Sequence, residues 1–201
     1  MSLPDKLELI DGGFSYEKKK YSFSDVVSLE MYATSVKHSL NFVKTHNSLH
    51  AQLHIFFSNK KLGKKGKLTI GANKGFFTDL RNYETQKRLT DALHNFHKII
   101  ADATFDNRVQ NYLATGDDTI AFRYGKFAFF KDGTIVKNGA LFVVIDRDKY
   151  SMKLGYSDII FEKKGLLGKT TGELFGKKTI EILKDKDAVL TLLNHFYGLR
   201  W

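Results

Sequence analysis

Apolar residues recur at every second position through much of this chain. Val27, Leu29 and Met31 alternate with polar neighbours, as do Ala51, Leu53, Ile55 and Phe57, then Leu68 and Ile70. The second half repeats the habit at Ile120, Phe122 and Tyr124, at Phe127 and Phe129, at Met152, Leu154 and Tyr156, and at Ile180 and Ile182. A period of two predicts half-buried strands, and Asp132-Gly133 and Asn138-Gly139 predict tight turns between them. The period changes to that of a helix twice. Leu89, Leu93, Phe96, Ile100 and Ala103 fall on one helical face, and Val189, Leu193 and Phe196 form a similar stripe behind Asp185 and Asp187. An Asp there suits a helix N-terminus. The first helix is expected to continue through Val109, Tyr112 and Leu113 with a break near Asp106-Asn107. Gly116-Asp117-Asp118 then reads as a boundary. The pattern predicts an α+β chain of two units, 1–116 with a long terminal helix and 117–201, each several antiparallel strands closed by a C-terminal amphipathic helix.

The halves also echo each other in sequence. "IFFSNKKLGKKGKLTI" from Ile55 and "IIFEKKGLLGKTTGELFGKKTIEI" from Ile159 share an apolar run ending in Phe, then lysines, glycine-lysine turns and a strand-like Thr-Ile. "LTDALHNFHKI" from Leu89 faces "VLTLLNHFYGL" from Val189, aligning Leu93 with Leu193, Phe96 with Phe196 and Ile99 with Leu199. "GGFSYEKKKYSF" faces "GKFAFFKDGTIV", Phe14 against Phe127. Three matches in the same order suggest one fold used twice.

Composition narrows the class. The chain has 201 residues, 42% hydrophobic, with 17 Phe and 9 Tyr to fill a core. It has no cysteine, which removes disulfides, thiolate metal sites and cysteine nucleophiles together. No secretory signal is readable at the start, and the longest apolar runs, such as 141–145, are far short of the ~20 residues of a membrane span. The expectation is a soluble, cytoplasmic protein, peripheral at most to the inner membrane surface. The net charge of +10 favours anionic partners, and it is shared, +6 in residues 1–116 and +4 in 117–201.

A curved antiparallel sheet, or partly open barrel, capped by a C-terminal helix is the pleckstrin-homology (PH) layout. "LATGDDTIAFRYGKFAFFKDGTIVKNG" from Leu113 resembles the start of the second half of certain uncharacterised bacterial PH-like, GRAM-like proteins, and "LIDGGFSYEKKKYSFSDVVSLEM" from Leu9 resembles the first hairpin of such domains. The resemblance implies two tandem PH-like units. The lipid-binding subset of PH domains carries a lysine followed by Lys/Arg-x-Arg in that hairpin. Here Lys18, Lys19 and Lys20 are followed by Tyr21 and Ser22, so the arginine is missing and headgroup recognition of that kind is not implied.

The chemistry-bearing candidates are mostly lysines. "KKGLLGKTTG" from Lys163 looks like a phosphate-binding loop, with Gly168-Lys169-Thr170 as its second half. The position that needs the first glycine is Lys163, so the spacing fails and a basic loop remains. The densest cluster is Lys60, Lys61, Lys64, Lys65, Lys67 and Lys74, with no acidic residue from Ser58 to Thr78 and with Phe76 and Phe77 beside it. Together with Lys18, Lys19, Lys20, Lys163, Lys164 and Lys169 these are the candidate anionic-surface contacts. Seven histidines include His50 and His54 on one strand face, His46 near the preceding turn, and His94 and His97 on the first helix, but no Asp/Glu partner stands at metal-site spacing, so no metal or other cofactor is expected. No catalytic residue is nominated, since carboxylates are scattered and no nucleophile elbow occurs. The reading is a non-enzymatic binding or scaffold module for an anionic lipid surface or an acidic protein. The alternatives are a small enzyme with a site assembled between the units, and nucleic-acid binding through a basic sheet face, which ranks lower for want of a motif. Self-association is left open.

Overall fold

A computed structural model of the chain describes residues 7–40, 43–71, 83–146, 149–164 and 177–199; for residues 35–40, 43–49 and Tyr83 it describes the backbone alone. The chain divides into two compact units, Met1–Asn107 and Arg108–Trp201. The described elements make an α+β fold of four small antiparallel sheets and three α-helices, and none of these sheets closes into a barrel. Among the described residues every pairing joins strands adjacent in sequence, the local connectivity that short turns favour.

The first unit opens with a meander of β1 (Leu7–Ile10), β2 (Gly13–Tyr16) and β3 (Lys19–Ser22). Gly13 sits where a Cβ would come 2.1 Å from the Tyr21 carbonyl oxygen, so only glycine lets these two strands approach. One 3-10 turn, Phe23–Asp25, leads into a second sheet of β4 (Val26–Leu40), β5 (Val43–Phe57) and β6 (Lys67–Gly71). A bulge between Val26 and Ser28 shifts the alternation by one, so Val26 and Leu29 are buried where the sequence pattern placed Val27 and Leu29. Helix α1 (Tyr83–Ala103) closes the core with Leu93, Phe96 and Ile100 against Leu53, Ile55 and Ile70. Phe14 stacks on Tyr21 at 5.1 Å and meets Phe96 edge-on at 5.5 Å, while Tyr21 stacks on Phe57 at 5.2 Å. Each such ring removed from water stabilises by about 1.5–3 kcal/mol, and each paired geometry adds up to about 1.5 kcal/mol more.

The helical stretch breaks at Thr104, ahead of the expected Asp106-Asn107. The Thr104 hydroxyl donates back to the Ile100 carbonyl at 2.7 Å beside the Thr104 N–H at 2.9 Å, a double use of one carbonyl that goes with bending of a helix. Helix α2 (Phe105–Leu113) follows, and the division between units falls inside it. From Arg108 on, its side chains belong to the second core, which Val109, Tyr112 and Leu113 cover.

The second unit places β7 (Ile120–Tyr124), β8 (Phe127–Phe130), β9 (Thr134–Lys137) and β10 (Ala140–Val144) in one four-stranded sheet. A three-stranded sheet follows, with β11 (Tyr150–Leu154), β12 (Asp158–Lys163) and β13 (Lys177–Glu181), and then α3 (Lys186–Tyr197). Phe122 and Phe129 stack at 4.2 Å at the centre, with Ile159, Phe161, Ile180 and Leu193 around them. Tyr156, expected to continue the alternation of β11, instead stands on the turn after it and is 94% exposed. Leu193 and Leu93 are equally buried, as the aligned helices suggested. Ile99, however, is 44% exposed against 5% for Leu199, because Ile100 faces the first core. No described helix is long and apolar enough to cross a membrane.

Candidate functional site

The β2–β3 turn is made by Glu17 and Lys18, both with positive φ, 51° and 69°. Two-residue hairpins of this kind normally use Asn-Gly, and each L side chain held there costs roughly 1–2 kcal/mol. Lys18, Lys19 and Lys20 are exposed at this end of the meander. Strain of this sort collects where function needs it.

The β5–β6 connection is a folded loop rather than a loose one. The Leu62 N–H donates to the Asn59 carbonyl at 3.0 Å, the Gly66 N–H to Leu62 at 3.0 Å, the Lys64 N–H to Lys67 at 2.7 Å, and the Lys61 N–H to the Asn59 side chain at 2.9 Å. Gly63 has φ +59°, and a Cβ there would lie 2.3 Å from the Lys67 carbonyl oxygen, so the turn requires glycine. Lys60, Lys61, Lys64 and Lys65 are exposed on it. Lys67 is half-buried, with its ammonium 5.3 Å from the centre of the Phe56 ring.

These two segments, about forty residues apart in sequence, line one open cleft of about 330 Å³ in the first unit. Its walls carry Lys19 and Glu17 from the hairpin, Lys64 and Lys67 from the loop and β6, the rings of Tyr16 and Tyr21, and Thr69. Burial pushes the Tyr21 phenol above its ordinary range, with the nearby Glu17 charge and Tyr16 adding to it, so this ring stays neutral in a cleft lined by three ammonium groups and one carboxylate. The sequence picked out the lysines; it did not pick out Tyr16, Tyr21 or Thr69, whose only signal was period-two placement.

Elsewhere the candidates do not converge in this way. Lys163 is exposed and Lys164 half-buried at the end of β12 in the second unit, where the Lys164 N–H donates to the Lys149 carbonyl at 2.8 Å. Lys74, Lys169, Phe76, Phe77 and the Gly165–Thr170 stretch lie outside the described residues. A second open cleft of about 390 Å³ lies on the outer face of β7–β9, with Arg123, Lys126 and Asn138 around Ala128 and Phe130. Among the described residues no group of three or more His, Asp or Glu is placed to hold a metal ion. His54 Nδ1 lies 3.0 Å from the buried Glu30 carboxylate, which also accepts from the Tyr32 hydroxyl; this histidine is tied to a neighbouring strand.

One cluster escaped the sequence. Arg108, 1% exposed, donates to Asp185 at 2.9 Å and doubly to Asp187 at 2.8 and 2.7 Å, and Tyr112 donates to Asp185 at 2.6 Å. Asp185 was expected to cap α3. It stands at the N-cap position but in the left-handed region, φ 47°, with no side-chain cap bond, because its carboxylate is turned to Arg108 and Tyr112. Burial alone would lift the Asp187 pKa; the hydrogen bonds and charge of Arg108, with backbone N–H groups, outweigh it and hold the carboxyl below its usual range. The cluster fastens α2 to the start of α3. The only trace in the sequence was a cation at the helical spacing of Thr104 and Tyr112.

Compared with known proteins, the chain matches no family model, no curated protein and no solved structure.

Proposed function

We propose that this protein is a non-enzymatic binding module that meets an anionic membrane surface through its first unit, peripherally and from the cytoplasmic side. The observation that carries the reading is the meeting of Lys19 with Lys64 and Lys67 at one cleft, with Lys18, Lys20, Lys60, Lys61 and Lys65 exposed on the same two segments. The lining offers three ammonium groups, aromatic faces and a hydroxyl against one carboxylate, Glu17, a balance that favours an anion. We also take each unit as PH-like; antiparallel sheets followed by a helix near the unit's end support this. The lysines act as a charge field, since neither glycine-lysine loop keeps phosphate-loop spacing. Each lysine near an anionic bilayer adds roughly 1 kcal/mol, so four set an upper bound of about 4 kcal/mol, near three orders of magnitude in affinity.

The test is sedimentation with phosphatidylcholine vesicles, with and without phosphatidylserine, at low salt. The wild type is expected to pellet with anionic vesicles only. Replacing Lys60, Lys61, Lys64 and Lys65 with Gln, or Lys18, Lys19 and Lys20 with Gln, weakens pelleting while leaving the fold intact, because exposed charges contribute little to stability. A wild type that stays in the supernatant overturns the membrane reading. Retention of an acidic protein by the same lysines would move the surface to that partner.

A further inference from the structure

The four-stranded sheet of the second unit is apolar on both faces. Its inner face carries the cross-strand row Phe122, Phe129, Ile135 and Val143, all in the core. The neighbouring row, Arg123, Ala128, Val136 and Leu141, stands on the other side. Phe130 lies two positions from Ala128 along β8, and Val144 pairs with Thr134, two positions from Val136 along β9, so both share that outer face. A sheet surface that faces water is normally polar. Here Leu141 is 66% exposed and Val144 41% exposed.

The outer face is hollow where its row carries the smallest side chain. The cleft of about 390 Å³ opens over buried Ala128, between Val136 and Phe130. Two hairpin turns bring polar groups to it. The Asn138 N–H donates to the Lys126 carbonyl at 3.0 Å, which ties the β9–β10 turn to the β7–β8 turn. Arg123, Lys126 and Asn138 are exposed around the cleft, and among the described residues no carboxylate lines it. Neither cation forms an ion pair among those residues. Asp117 feels the Arg123 charge from outside the lining, and its Oδ1 already accepts from the Thr119 N–H at 2.9 Å and the Thr119 hydroxyl at 2.6 Å.

Charge and shape together name the occupant. An exposed apolar face gains from being covered. The two cations call for an anion, and a carboxylate suits the planar fork of Arg123. A bilayer fits poorly, because its floor at Ala128 is recessed among exposed cations and insertion takes protruding apolar groups. A second copy of the chain, seated face to face, would set the same cations against each other. A segment that joins an apolar side chain to an acidic one meets both demands.

We infer that the outer face of β7–β10 docks an acidic, apolar segment of a partner protein, with an apolar side chain over Ala128 and a carboxylate held by Arg123 and Lys126. This docking face lies in the second unit and stands independently of the membrane surface proposed for the first.

The test selects a displayed library of short random peptides on the full chain and, in parallel, on two variants. Ala128→Tyr fills the cleft, and Arg123→Gln/Lys126→Gln removes its charge. The wild type is expected to enrich peptides that join Asp or Glu to Leu, Ile or Phe, and neither variant should enrich them. An enriched peptide, labelled with fluorescein and followed by anisotropy, should bind Arg123→Gln/Lys126→Gln and Leu141→Asp at least about tenfold more weakly than the wild type. Leu141 is exposed, so its substitution leaves the core untouched, and circular dichroism checks the fold of every variant. No enrichment over the variants, enrichment of peptides without acids, or equal binding by either anisotropy variant overturns the inference. If these variants weaken pelleting with phosphatidylserine vesicles and leave peptide binding unchanged, the face belongs to the membrane and the inference fails as well.

Discussion

Arg108→Ala removes a guanidinium that is 1% exposed and faces an Asp185 side chain that is 0% exposed. Three charge-assisted bonds of 2.7–2.9 Å disappear at once. The buried Asp185 carboxylate loses the cation that donates to it at 2.9 Å. Removing one partner of a buried pair costs about 3–5 kcal/mol, a large share of the 5–15 kcal/mol that holds a typical domain. Asp187→Asn provides the comparison: Asp187 is half exposed, and Arg108 retains Asp185, so the loss should be about 1 kcal/mol. The assay is urea unfolding by far-ultraviolet circular dichroism, with hydrogen exchange read at the amides of α3 and β7. An Arg108→Ala variant within 1 kcal/mol of wild type, or no worse than Asp187→Asn, would refute the reasoning that this pair is a buried fastening.

The Arg108–Asp187 contact sets an acid limit. The folded Asp187 pKa lies below the unfolded value of about 3.9, so its stabilisation is present above that pH and is lost as pH falls through the folded value. Asp187→Asn should flatten the loss of stability below about pH 4, as measured by urea midpoints across pH. Glu17→Asn with Lys18→Gly should stabilise the first unit by roughly 1–2 kcal/mol, chiefly by removing the left-handed side chain at position 18, seen as a raised unfolding midpoint. Tyr197→Phe removes the hydroxyl that donates to the Phe130 carbonyl at 2.7 Å and should cost about 1 kcal/mol by the same assay.

Period-two alternation made most strands legible, and the helical stripes located the two long helices, because those patterns follow directly from which face is buried. The exceptions have local causes. The bulge at Val26–Ser28 moved a buried position by one, and Tyr156 reads like a strand residue although the turn leaves it in water. The break at Thr104, whose hydroxyl also bonds the Ile100 carbonyl, leaves no trace in the periodicity. The lysines were visible as composition, but their meeting was not. Lys19 and Lys64 share a cleft because a strained hairpin and a glycine turn present them to the same space. Arg108 and Asp185 are 77 positions apart, and their pairing was beyond any local pattern.

The most direct test of the charge-field account is one vesicle titration, run at increasing salt, on wild type, on Lys19/Lys64/Lys67→Gln and on Lys19/Lys64/Lys67→Arg. A field acts through charge alone and weakens as the screening length falls from about 10 Å at 0.1 M salt to about 3 Å at 1 M. The Arg variant is expected to bind anionic vesicles as the wild type does, the Gln variant at least tenfold more weakly at low salt, and the curves to converge as salt rises. Equal binding by all three, or binding indifferent to salt, would contradict a charge field.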